Sequence, residues 1–193
     1  MNVKVGENQF RLIEANERDV NDYLDFMGIL STDPENYTLT RYSKLDRRRI
    51  EEWSRNWGKA TTLILAYHGM RVAGMIQSSK GRYFGLERQA HVAEVAYAVG
   101  KDFRGSGLIY ALFNYLLERV DVKIFTAWVD DRNAKSQRVL ENLGFTRCCK
   151  IDEFMYSENE KEFVNLWFYK SRIDTVREKM RKYIERFKIE MIS

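Results

Sequence analysis

Residues 93–112 read AEVAYAVGKDFRGSGLIYAL, and the fold turns on how this stretch is understood. Its first half belongs to His91–Val99 (HVAEVAYAV), a run apolar on both faces, as a strand in the middle of a sheet must be. A polar, glycine-rich segment, GKDFRGSG, follows and leads directly into a densely apolar helical stretch, Leu108–Val120. In the loop Arg104-Gly105-Ser106-Gly107 the glycines let the backbone approach a ligand closely. Unpaired N–H groups at the start of a helix point one way, and the helix dipole favours negative charge there. Those features suit a pyrophosphate, with Arg104 adding a positive charge. The plainer alternative is a helix start whose glycines serve turn geometry alone.

On the C-terminal side, Val122–Val129 reads as another central strand, Asp131–Leu143 as a helix, and Phe145–Tyr156 and Lys161–Lys170 as paired strands. On the N-terminal side, Gln9–Ala15 alternates as a strand and Asn16 caps a helix running to Leu30. A turn-rich STDPEN, with the single proline Pro34, precedes a charged amphipathic helix over Tyr42–Trp57. Thr61–His68 and Arg71–Ser79 form a hairpin, and Gly81–Arg88 is a loop. Strands with crossover helices in the middle and hairpins at the ends predict an α/β (mixed α+β) fold built on one mixed sheet. The expected organisation is one domain over residues 1–170. A tail over 171–193 carries Ile173, Val176, Met180, Tyr183, Ile184 and Phe187 on one helical stripe. That stripe is expected to pack on its own domain, with a homodimer contact as the alternative.

Composition narrows the function. At 193 residues, 45% hydrophobic and 31% charged, the chain is an ordinary globular domain with a sizeable core. The net charge of +4 suits a phosphate-bearing partner but is too small to argue for nucleic acid, and the basic clusters are interleaved with Glu and Asp. No apolar run approaches the ~20 residues of a membrane helix. The first residues, MNVKVGENQF, have no apolar signal core, so a cytoplasmic location is expected. Cys148 and Cys149 are adjacent, which speaks against a disulfide or a metal site and marks them as packing residues.

The nucleotide can be narrowed by exclusion. Gly100 and Gly105 have the interval of a Walker loop, but Ser106-Gly107 follows where Lys then Ser or Thr is required. A dinucleotide fingerprint starting at Gly105 would need its third glycine where Tyr110 stands. VGKDFRGSGLIYAL instead resembles the acetyl-CoA motif of the GNAT superfamily of N-acetyltransferases, Arg or Gln followed by x-x-Gly-x-Gly or Ala. DRNAKSQRVLENLGF resembles the second signature of that superfamily, and the strand–helix–strand context agrees over about Thr61 to Lys170. The helix and the long hairpin after it are most similar to the ribosomal-protein N-terminal and polyamine acetyltransferase branch.

The resemblance implies a splayed mixed sheet, acetyl-CoA as cosubstrate and a primary amine as acceptor, either a peptide N-terminus or a small molecule. It also implies that Ala98 and Val99 pair with the pantetheine arm and that the Val99 N–H polarises the thioester carbonyl. Arg104, Gly105, Ser106, Gly107, Leu108 and Ile109 would wrap the pyrophosphate, while Asn133 and Ser136 face the cofactor. Two departures stand out: Ile109 replaces the second Gly or Ala, and Leu140 replaces the tyrosine that protonates the leaving thiolate.

Glu94 is the candidate general base, since a carboxylate in an apolar strand is costly to bury without chemistry or a partner; a neighbouring Arg or Lys is the plain alternative. His68 and His91 read as structural, and Tyr97, which alternates to the opposite face, as core. Without a powerful base, an α-amine (reference pKa ~8) is an easier acceptor than a lysine amine (~10.4), which favours a peptide N-terminus. The rivals are a CoA-binding module with little or no transferase activity and a nucleic-acid-binding protein.

Overall fold

The computed structural model describes residues 1–37 and 47–192. Strands β1 (Asn2–Val5) and β2 (Asn8–Glu14) form a hairpin. A 3-10 turn capped by Asn16 leads into α1 (Val20–Ser31), and α2 spans Arg47–Ser54. The hairpin β3 (Thr61–His68) and β4 (Arg71–Lys80) is followed by a short α3 (Leu86–Gln89), β5 (Val92–Val99) and α4 (Leu108–Leu117). Then come β6 (Ile124–Asp130), α5 (Ala134–Asn142), β7 (Thr146–Ser157), β8 (Glu162–Arg172), α6 (Ile173–Arg186) and β9 (Ile189–Ile192).

The nine strands form one sheet in the order β7-β8-β6-β5-β4-β3-β2-β1-β9. Every neighbouring pair is antiparallel except β5 and β6, which α4 connects as a crossover. One core lies on the α4, α5 and α6 face and a second on the α1 and α2 face. Helix α4 has nine buried residues among its ten, so it is apolar all round, and each large side chain contributes roughly 1.5–3 kcal/mol of burial. That burial holds the glycine-rich loop at its N-terminus against the sheet.

The pairing of β5 with β6 is short. Only Val92–Glu94 pair with Ile124–Thr126. Beyond that point β5 keeps to β4 as far as Val99, while β6 keeps to β8 as far as Asp130, so the two parallel strands part into a wedge. Tyr97 stands in the wedge, its ring against Phe113 and its hydroxyl hydrogen-bonded to Ser136 at the start of α5.

Several elements differ from the sequence reading. Strand β1 was not foreseen, because four residues show too little alternation to be seen without their partner. The tail does not stay helical to its end: α6 stops at Arg186, and β9 pairs with β1 at the far edge of the sheet. Of the helix expected over Tyr42–Trp57, Arg47–Ser54 is observed, and its expected start at Tyr42 lies outside the described residues. Cys148 and Cys149 are exposed rather than packed, because β7 is an edge strand with little covering it. Tyr97 is not closed core; it borders the cavity described next.

Candidate active site

A cavity of 470 Å³ opens where the wedge meets the glycine-rich loop. Its walls are the end of β5, the loop and first turn of α4, the first turns of α5, and Phe187 beyond α6. The loop geometry follows from its glycines. Gly105 (φ 78°) and Gly107 (φ 95°) both adopt left-handed backbone conformations that L side chains resist. The Ser106 hydroxyl donates to the Phe103 carbonyl (2.7 Å) and accepts from the Leu108 N–H (3.2 Å), tying the loop to the first residue of the helix. The N–H groups of Gly105, Gly107 and Ile109 have no acceptor among the described residues, which leaves three donors at the positive end of α4.

The strand side is equally open. The Gly100 N–H donates to Ala73 O (2.8 Å), and Val99 lies opposite Gly74 in the β4–β5 register. Antiparallel alternation then turns the backbone of Ala98 toward β4 and the N–H and C=O groups of Tyr97 and Val99 toward the wedge. Ala98 therefore borders the cavity with its backbone groups turned away from it, toward β4.

The mouth of the cavity is charged. Arg104 donates through Nε to the Val99 carbonyl (3.3 Å) and forms ion pairs with Asp33 and with Glu35 (3.4 Å). Glu35 also meets Lys135 at 3.3 Å. Burial pushes the Asp33 carboxyl up, but the Glu35 N–H and the Arg104 guanidinium outweigh it and hold the group below its ordinary range.

Of the residues singled out from sequence, Ala98, Val99, Arg104, Gly105, Gly107, Leu108, Ile109, Asn133 and Ser136 all line the cavity. Ser106 does not border it; its hydroxyl bridges Phe103 and Leu108 behind the loop. Asn133 Oδ1 accepts from the Ser136 N–H (3.0 Å), which leaves its amide NH2 as the group for a ligand. Ser136 meets the Tyr97 hydroxyl at 2.7 Å. Burial raises the Tyr97 phenol well above its ordinary range and keeps its proton in place. Leu140 is fully buried in the core and faces no ligand space.

Glu94 does not border this cavity. It occupies the last paired position of β5, where the wedge begins, and its side chain shares a face with Ala96 and Ala98, the α1 face. There it accepts a 2.5 Å hydrogen bond from the Tyr83 hydroxyl and lies 3.6 Å from Arg82. Trp128 Nε1 donates to the same hydroxyl at 2.9 Å. Burial, and then the Glu94 carboxylate, push the Tyr83 phenol up to about 12. His68 and His91 lie elsewhere: His68 Nδ1 meets the Gln9 carbonyl at 3.0 Å, and the His91 carbonyl accepts from Lys123 and Ile124.

A second cavity of 380 Å³ lies between the segment after α1 and the β7–β8 turn, bordered by Asp33, Tyr37, Asp130, Ser157 and Glu160. Its carboxylates already carry arginines: Asp33 holds Arg104, and Asp130 and Glu160 share Arg132.

Sequence reasoning missed Tyr97, Lys135, Arg138, Tyr110 and Phe187 in the main cavity. Tyr97 shares its alternation with Val99, and Lys135 and Arg138 flank Ser136 on one short helix, so all three were within reach of the motif. Phe187 was marked only as part of the apolar stripe of the tail, and nothing local links it to a loop some eighty residues earlier in the chain.

A mixed sheet that splays beside a glycine-rich helix start, with one cavity joining the two, is the arrangement this chain presents. The chain belongs to the acetyltransferase (GNAT) family, whose sequence model matches residues 25–145. It is an acetyltransferase and takes acetyl-CoA as cosubstrate. No curated protein matches it by sequence. Among solved structures, it is similar to the ribosomal-protein-alanine N-acetyltransferase of Brucella melitensis, with 19% identity, 84% of this chain and 99% of that one covered, and a TM-score of 0.67. RimJ of Mycobacterium smegmatis, in complex with CoA-disulfide, shares 13% identity over 100% of this chain and 96% of its own, with a TM-score of 0.72. A spermidine N-acetyltransferase chimera of Vibrio cholerae SpeG and hSSAT shares 14% over 87% and 98%, with a TM-score of 0.68. At these identities the likeness establishes the fold. No described helix is long and apolar enough to cross a membrane.

Proposed function

We propose that the chain acetylates the α-amine of a peptide N-terminus, with Glu94 as the proton acceptor. The observation that carries this reading is the position of Glu94 where β5 and β6 part, on the face opposite the phosphate loop. A thioester lying in the wedge would be flanked by the loop side on one face and by Glu94 on the other. Bound acetyl-CoA supplies the activated acetyl thioester. The free N–H groups of Gly105, Gly107 and Ile109, with Arg104, Lys135 and Arg138 nearby, suit its phosphates. The wedge-facing N–H of Val99 suits the thioester carbonyl oxygen, where negative charge develops as the amine attacks. A C–N bond forms, the C–S bond breaks with CoA leaving as its thiolate, and the proton lost by the amine passes to Glu94.

An α-amine is already partly neutral near pH 7 and asks less of a base than a lysine amine does. Arg82 and the Tyr83 hydroxyl are the partners that hold the Glu94 carboxylate in place. The arginine-paired carboxylates of the second cavity have little charge to spare for a polycation, which supports a peptide over a polyamine.

The test compares peptides with free N-termini, polyamines and N-terminally blocked lysine peptides as acceptors, for the wild type and Glu94→Gln. Peptide α-amines should be used best. The variant should keep its affinity for acetyl-CoA and lose ~10²-fold in turnover at neutral pH, a loss that shrinks at high pH as the amine deprotonates. Faster turnover of a polyamine would refute the acceptor; wild-type turnover in Glu94→Gln would remove Glu94 from the chemistry.

A further inference from the structure

We propose that the C-terminal tail is a working part of the cofactor site, with Phe187 as a positioning residue that holds the phosphate loop in its binding conformation. The inference rests on the reading that the loop from Gly105 to Ile109 receives the pyrophosphate.

Phe187 is fixed from both directions. Its N–H donates to the Tyr183 carbonyl at the end of α6, and its carbonyl accepts from the Gly6 N–H in the β1–β2 turn, each at 3.0 Å. Two residues later β9 begins its pairing with β1, with Ile189 opposite Val5. The ring closes a stack of three: Tyr183 lies on Tyr110 at 4.3 Å and 4°, and Tyr110 on Phe187 at 5.2 Å and 19°. Tyr110 belongs to the first turn of α4 and is itself held by Asn142, whose Nδ2 donates to its hydroxyl at 3.0 Å.

The Phe187 ring then meets Gly107. A Cβ on Gly107 would lie 2.4 Å from Phe187 Cγ and 2.5 Å from Cδ1, so the ring fills the space a side chain would have taken. Gly107 is the N-cap of α4, left-handed at φ 95°, and its conformation aims the N–H groups of Gly107 and Ile109. A glycine is free to leave that conformation; a ring seated on its Cα is not easily displaced. Phe187 thus removes motion that cofactor binding would otherwise have to freeze, and it borders the same cavity. The family match ends at residue 145, so this part of the site comes from outside it.

The consequence is selective. Without the ring, the phosphate end of the cofactor should lose affinity, while the acetyl-pantetheine end, held along β5, should not. The full-length chain, Phe187→Ala and Phe187→Leu are compared with acetyl-CoA and with acetyl-pantetheine as donors. Phe187→Ala should raise the Kd and KM for acetyl-CoA by about tenfold, the scale of a lost preorganising contact, and leave kcat within about twofold. Its kcat/KM for acetyl-pantetheine should be unchanged, and Phe187→Leu, which refills the space, should recover most of the affinity.

Unchanged acetyl-CoA affinity in Phe187→Ala, or an equal loss with both donors, overturns the role of Phe187. A wild type that uses acetyl-pantetheine as well as acetyl-CoA refutes instead the phosphate-loop reading beneath it. If the alanine variant does not fold, amide exchange in the wild type decides. Coupling is reciprocal, so saturating acetyl-CoA must slow exchange across Ile189–Ile192, and unchanged exchange there overturns the proposal.

Discussion

Replacing Gly107 with alanine tests the loop and the tail together, and the structure sets the size of the effect. Holding an L-residue in the left-handed conformation at φ 95° costs about 1–2 kcal/mol. The new methyl would also sit 2.4 Å from Phe187 Cγ, an atom close to the backbone that cannot swing clear without breaking the stack on Tyr110. Overpacking of that kind adds about 1–3 kcal/mol, for a total of about 2–5 kcal/mol. Gly105 is the internal control: it is left-handed at φ 78°, but a Cβ there meets nothing within 4 Å. Gly105→Ala should therefore cost only the backbone strain, about 1–2 kcal/mol. In Gly107→Ala/Phe187→Ala the contacts with the ring are gone and only the one with the Cβ of residue 187, at 2.7 Å, remains, so the double variant should be more stable than the sum of the singles predicts, by about 1–3 kcal/mol. Urea denaturation of the four variants beside the wild type gives these differences directly. Additivity of the two substitutions to within about 0.5 kcal/mol, or equal losses at positions 105 and 107, would refute the contact between ring and loop.

Two further outcomes bear on the acceptor face and the tail. The Tyr83 phenol is raised to about 12 in the folded state, so the fold binds its proton more tightly than the unfolded chain does, and its contribution is fully present below the ordinary value of ~10. That contribution is lost as pH rises toward 12. The wild type should then lose stability over this alkaline window more steeply than Tyr83→Phe, and equal slopes in denaturation series would mean that burial and Glu94 do not hold the Tyr83 proton in the folded state. Met180, fully buried on α6, should cost about 2–5 kcal/mol on change to alanine, with no change in particle mass by light scattering. A drop in mass would make the stripe an interface between copies instead.

Much of this protein could be read locally, because the signals involved are local. The apolar strand at His91–Val99, the glycines before Leu108 and the apolar helix that follows depend on neighbours in sequence. So do Asn133 and Ser136, brought together by one helix cap. These segments are matched by backbone periodicity and capping chemistry, which act over a few residues. The long-range pairings were not legible. The wedge exists because β5 and β6 keep to different partners after Glu94, a matter of register between strands thirty residues apart. The partners of Glu94 come from the loop before β5, through Arg82 and Tyr83, and from β6, through Trp128. Most distant of all, the ring on Gly107 arrives from residue 187, carried there by a strand that pairs with the first residues of the chain. Amphipathic spacing showed that the tail had an apolar stripe to bury. It could not show where, because many surfaces would satisfy an apolar stripe, and only the packed sheet and α4 determine which one does.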